Sequence, residues 1–300
     1  MAFSSRRSWS RAGVYIELHL GLRARTTTDV DTLFRGDLAE FERKLDETLT
    51  QPWGPFDLVR TELEVIDAPR LVQPRRFWIK LIAKGHVWRR IKVDVSFPEG
   101  GSANESMPVV PPNIGFFGIQ TPNYLLGMAM DYQVAQKLHA ASDPDDDHYE
   151  NQRVHDILDL LLIKNAFYPG PLPKHLKAAC EDIFTYRADE AAQLQHPVRR
   201  WPPVLHANDY WRAAYPPLAT ALEITLTLDE AIATIEAWAT EIDRADGWRN
   251  PPSPSAPRKP HGLNAIQGKT TAAWEWEGLA SAWSLSGRWV VGDGVMGSVT

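Results

Sequence analysis

A single cysteine, Cys180, in 300 residues leaves no partner for an internal disulfide and too few thiols for a cysteine-built zinc site. That scarcity fits a reducing cytosol, and the chain reads as cytoplasmic. No apolar run is long enough to span a bilayer. The stretch from Met1 to Arg11 carries charge but no sustained apolar core behind it, so it is not a secretory signal. A P-loop and the glycine fingerprint of a dinucleotide-binding turn are both missing, so a bound nucleotide would need a different architecture. The net charge of -6 gives no global attraction to nucleic acid; any such contact must come from a local basic patch. There are no internal repeats.

What is present is ordinary in bulk and informative in detail. Apolar residues make up 44% and charged residues 23%, enough chain and core for one large domain or two modest ones. Apolar periodicity predicts helices over residues 14–20, 38–49, 125–141, 149–165, 173–187 and 218–245. Strands are expected over 29–34, 56–66, 76–83 and 89–97; in the last, Ile91, Val93 and Val95 alternate with Lys92, Asp94 and Ser96. Lys84-Gly85-His86 suits a hairpin turn between the last two strands, and the Pro- and Gly-rich stretch 98–112 reads as a loop. The expected fold is therefore α+β, with an all-helical second half. A proline- and serine-rich segment from Pro251 opens a tail with four tryptophans and no periodicity, read as disordered.

Three groups of residues could carry chemistry. Asp29 and Asp31 stand two apart, so an extended backbone points both to one face. Such a pair suits a hard divalent cation such as Mg²⁺, and Arg25 with Thr27 just upstream could meet phosphate oxygens. Alone, the pair is equally a solvated turn. If the strand bearing Asp94 lies beside it, three carboxylates converge and call for a cation between them. The second group is Lys137, in a mostly apolar helix, with Arg153, Asp156 and Asp159 at three-residue spacing on the next helix. For Lys137 taken alone, snorkelling of the side chain is the expectation. The third is residues 70–92, with eight basic residues, no acidic residue, and Phe77, Trp78 and Trp88 interleaved. Basic residues with aromatics are a nucleic-acid footprint. Here the tryptophans are expected in the core and the arginines on a basic surface.

In order and spacing these segments resemble the nucleotidyltransferase AbiEii/AbiGii toxin family, over roughly residues 10–245. The matching residues are the turn at Gly13; Arg25, Thr27, Asp29, Val30 and Asp31; Asp94; Asp131 with Ala135, Lys137 and Leu138; and Arg153, Asp156 and Asp159. The resemblance implies a DNA polymerase β-type nucleotidyltransferase core, N-terminally incomplete, over residues 1–112. A helical domain over 113–247 would complete the active site, ahead of a tail over 248–300. It implies catalytic roles for Asp29, Asp31, Lys137 and Asp156, Mg²⁺ binding by Asp29, Asp31 and Asp94, and nucleotide binding by Gly13, Arg25, Thr27 and Arg153. The implied activity is transfer of NMP from an NTP to an acceptor, RNA such as tRNA, within a toxin–antitoxin system of abortive-infection type with a cognate antitoxin. The alternative is an inactive member that binds RNA or a partner.

Overall fold

The computed structural model describes residues 8–10, 29–34, 36–111, 113, 115, 121–147 and 149–245. Gly13, Arg25, Thr27, the helix expected over 14–20 and the tail expected over 248–300 lie outside them. The described chain is α+β, as the periodicity predicts. Its strands are β1 (Ser8–Ser10), β2 (Asp29–Phe34), β3 (Asp57–Arg60), β4 (Glu64–Val65), β5 (Arg75–Ala83), β6 (His86–Ser96), β7 (Ser106–Val109) and β8 (Leu125–Met128). Its helices are α1 (Leu38–Leu49), α2 (Met130–Ala141), α3 (Val154–Phe167), α4 (Lys174–Leu194), α5 (Asp209–Ala221) and α6 (Leu228–Asp243). The strands form one mixed sheet in the order β3-β5-β6-β2-β1-β8-β7, with β4 beside β5.

Two expectations for the sheet change. Residues 98–112 are more than loop, since a 3₁₀ turn at Gly100–Ala103 leads into β7. The helix expected from residue 125 begins only at Met130, because Leu125–Met128 runs antiparallel to β7 and joins β1 in the sheet. An apolar run of that length does not separate buried strand from buried helix, and here the sheet claims it. Between α5 and α6 the predicted single helix is interrupted. Leu222 closes α5, and Thr227 opens α6 through a reciprocal capping box with Glu230.

Alternation along β2, β5 and β6 assigns the two faces of the sheet. Val30, Phe77, Ile79, Leu81, Val93 and Val95 pack with Phe41 and Leu45 of α1, and Phe41 sits edge-on to Phe34 at 4.9 Å. A second core joins Met128 of β8 to the helices, with Leu138, Ile157, Ile183, Trp211 and Trp238 fully buried. An ion network ties the β4–β5 connection and the 3₁₀ turn to α4. Glu99, fully buried, accepts from Arg70 at 2.9 Å and from Arg187 at 2.8 and 3.0 Å. Arg70 also donates to Glu190 at 2.7 Å.

His139 of α2 lies buried and edge-on to Phe184. Burial first, then the charges of Arg199 and Arg187, push its imidazole pKa down to about 2. A folded-state pKa below the unfolded value means the unfolded chain binds the extra proton. This stability is intact above pH ~6.5 and is lost as pH falls through that value toward the folded pKa. The unfolding free energy should drop by about 1.4 kcal/mol per pH unit from this residue below pH ~6. Urea titrations at several pH values should show that slope, and His139→Phe should flatten it.

Candidate active site

The structure gathers the predicted site residues into two groups. The first is a row across the sheet face opposite α1. Strands β2 and β6 are parallel, with Asp31 in register with Asp94 and Asp29 in register with Lys92. Neighbouring strands lie ~4.8 Å apart, so Asp31 and Asp94 present their carboxylates side by side. The pairing of these two strands, which the sequence could pose only as a condition, is what the chain adopts. Asp31 is exposed; Asp94 is half-buried, and both its oxygens accept from Arg76 of β5, at 2.7 and 2.8 Å. Arg76 is the direct cross-strand neighbour of Asp94 and supplies the countercharge that two adjacent carboxylates require. The side chain of Asp29 lies outside the described residues.

A hard cation fits this donor set. Mg²⁺ is commonly held by one or two carboxylates, its remaining positions going to water and substrate phosphate. Among the described residues no cluster of three or more metal-ligating side chains occurs. Each carboxylate oxygen has two lone pairs, so Asp94 keeps acceptor capacity beside Arg76.

The second group is buried between α2 and α3. Lys137 Nζ donates to Asp156 at 2.6 Å and to Asp159 at 2.8 Å. The snorkelling expected of this lysine does not occur: its side chain is only 8% exposed and its charge is met inside the helical core. Burial pulls the lysine pKa down, but attraction by Asp156 and Asp159 and the hydrogen bonds to them outweigh it, holding it above the usual range. Asp156 is 10% exposed and Asp159 1%, so Asp156 is the reachable carboxylate and Asp159 the inner anchor. Asp159 was signalled in the sequence by its position one turn beyond Asp156 in an otherwise apolar helix. Arg153 is exposed at the N-terminal end of α3, where its backbone N–H meets Asn151 Oδ1 at 2.9 Å.

Other polar groups around α2 were not singled out from the sequence as a unit. Asp131 accepts from Tyr168 and contacts His175 Nδ1 at 2.5 Å, while Tyr132 donates to Asp182 at 3.1 Å. These partners come from α4 and the α3–α4 connection, far away in sequence. The expectation that Trp78 and Trp88 are core residues fails: Trp78 is half-buried on the face opposite α1, and Trp88 is 50% exposed. The β5–β6 register passes from Leu81↔Arg89 to Ile82↔Val87 and skips Trp88, which bulges out and stacks on Phe56 at 4.8 Å.

The profile of the nucleotidyl transferase AbiEii toxin family, of type IV toxin–antitoxin systems, matches residues 13–250. The chain belongs to that family. It is thereby a nucleotidyltransferase toxin of a type IV toxin–antitoxin system, for which the family implies an NTP substrate and an antitoxin. Among solved structures it is similar to MenT4, a nucleotidyltransferase toxin from Mycobacterium tuberculosis H37Rv. Identity is 18%, over 81% of this chain and 87% of that one, with a TM-score of 0.42, a likeness too distant to assign residues. No curated protein matches the sequence. Among the described residues of this AbiEii-family toxin, no helix is long and apolar enough to cross a membrane.

Removing Lys137 alone would leave Asp156 and Asp159 facing each other in the core without a cation. Lys137→Met should destabilise the protein by about 3–5 kcal/mol, read as a lower urea midpoint. Because the folded lysine pKa is raised, its stabilisation is complete below pH ~10 and is lost only at higher pH.

Proposed function

We propose that this toxin transfers NMP from an NTP to a hydroxyl of an RNA acceptor such as tRNA. The observation that carries the reading is the side-by-side placement of Asp31 and Asp94 on the open face of the sheet, in a chain of a nucleotidyl transferase family. Asp29, Asp31 and Asp94 would hold Mg²⁺, which when bound neutralises charge on the triphosphate and on the departing pyrophosphate. Gly13, Arg25, Thr27 and Arg153 would orient the nucleotide. The acceptor oxygen attacks the α-phosphorus, a new P–O bond forms, and the bond to the β-phosphate oxygen breaks to release pyrophosphate. The hydroxyl proton passes to Asp156, the less deeply buried carboxylate of the Lys137 group. Lys137 holds that carboxylate in place and keeps its charge compensated. In this scheme the core over 1–112 supplies the carboxylate row, and the segment over 113–247 supplies Lys137 and Asp156.

Catalysis of this kind rests on positioning and preorganised charge. The test incubates the full chain with Mg²⁺, α-labelled NTPs and total RNA. Label should enter RNA, and Asp31→Ala and Asp156→Ala should each cut the rate on the order of 10²-fold or more. Native protein that transfers no label from any NTP overturns the proposal. A second reading, an RNA- or partner-binding member without catalysis, is favoured by the bidentate hold of Arg76 on Asp94. It predicts RNA retention with no transfer and no effect of Asp31→Ala.

A further inference from the structure

Residues 70–92 carry eight basic residues and no acidic one, in a chain of net charge -6. The fold sorts these cations. Arg70 is committed to Glu99 and Glu190, Arg76 to Asp94, and Arg75 donates to the Gln73 and Pro74 carbonyls. Lys80, Lys84, Arg89, Arg90 and Lys92 lie along the β5–β6 hairpin. Lys80 of β5 is the direct cross-strand partner of Arg90 of β6, and both belong to the alternation that carries Arg76, Trp78, Lys92 and Asp94. They therefore share the sheet face of the carboxylate row. Four residues separate Arg90 from Asp94, ~13 Å along the strand. Lys84 follows, exposed, in the hairpin turn.

Like charges directly opposite on antiparallel strands destabilise the pairing. The sheet nevertheless places Lys80 against Arg90, with Trp78 against Lys92 as the next row toward the carboxylates. A chain of phosphates along this face would relieve that repulsion, and the half-buried Trp78 on the same face offers an aromatic surface for an unpaired base. We propose that the distal face of the β5–β6 hairpin binds single-stranded RNA, leading the acceptor strand toward Asp31 and Asp94. The site rests on the transferase reading for the role of the RNA, but its binding does not depend on turnover.

The experiment measures anisotropy of a fluorescein-labelled single-stranded RNA with the full chain, without NTP, across a salt series. Lys80→Gln/Arg90→Gln should weaken binding by about tenfold and reduce the log–log salt slope by about 1.4, ~0.7 per lost phosphate contact. Lys174→Glu, an exposed charge change on α4, should leave the slope as it is. If the double variant does not fold, Arg90→Gln alone should still lower the slope by about 0.7. Unchanged affinity and slope in the variants overturn the proposal. So does polyglutamate competing as well as RNA of equal charge, which assigns the face to an acidic protein. Native protein that binds RNA with this slope but transfers no label sinks the transferase reading alone. Label transfer to RNA with an unaltered slope in the variant sinks this one alone.

Discussion

The polar face of the sheet depends on the parallel register of β2 on β6. Val30 against Val93 buries one side under α1, and that pairing sends Asp31 and Asp94 to the other side together. A slip of β2 by one residue would drive Asp31 into the aromatic packing of Phe41 and Phe77 and turn Val30 out of it. The core thus enforces the geometry of the carboxylate row. The antiparallel pairing of β5 on β6 extends the same logic outward, placing Arg76 on Asp94 and Lys80 on Arg90.

The helical half solves its electrostatics differently. Lys137, Asp156 and Asp159 form a buried ion group whose side chains are 8%, 10% and 1% exposed. A buried ion group is a weak source of stability compared with apolar packing, but it fixes partners and geometry, because each stranded charge is costly. Asp159 is the most deeply buried of the three. Asp31 on the sheet is exposed where this group is closed.

Much of this was legible in sequence, for physical reasons. The period-two alternation around Asp94 and the apolar spacing of α1 are local signals, and the structure follows both. The pairing of β2 with β6 could be posed as a condition but not deduced, since register between distant strands is set by packing. Lys137 misled as an isolated residue, because snorkelling is a property of a lone helix and its two partners stand 19 and 22 residues away. Trp88 misled for another reason: a bulge shifts the alternation by one, and nothing in the composition of the hairpin announces it. Residues 125–128 show that four apolar residues take whichever form their neighbours complete.

The knot of Arg70, Glu99, Arg187 and Glu190 has a bearing on how the molecule responds to its solvent. Glu99 is out of reach of mobile ions, whereas the cations of the hairpin stand in the ionic atmosphere. Counterions weaken charges in proportion to their access to them. Raising the ionic strength would strip a polyanion from the sheet while the clamp between sheet and helices stayed shut. The fold thus carries two sets of charges, one that dissolved ions can switch off and one insulated from them.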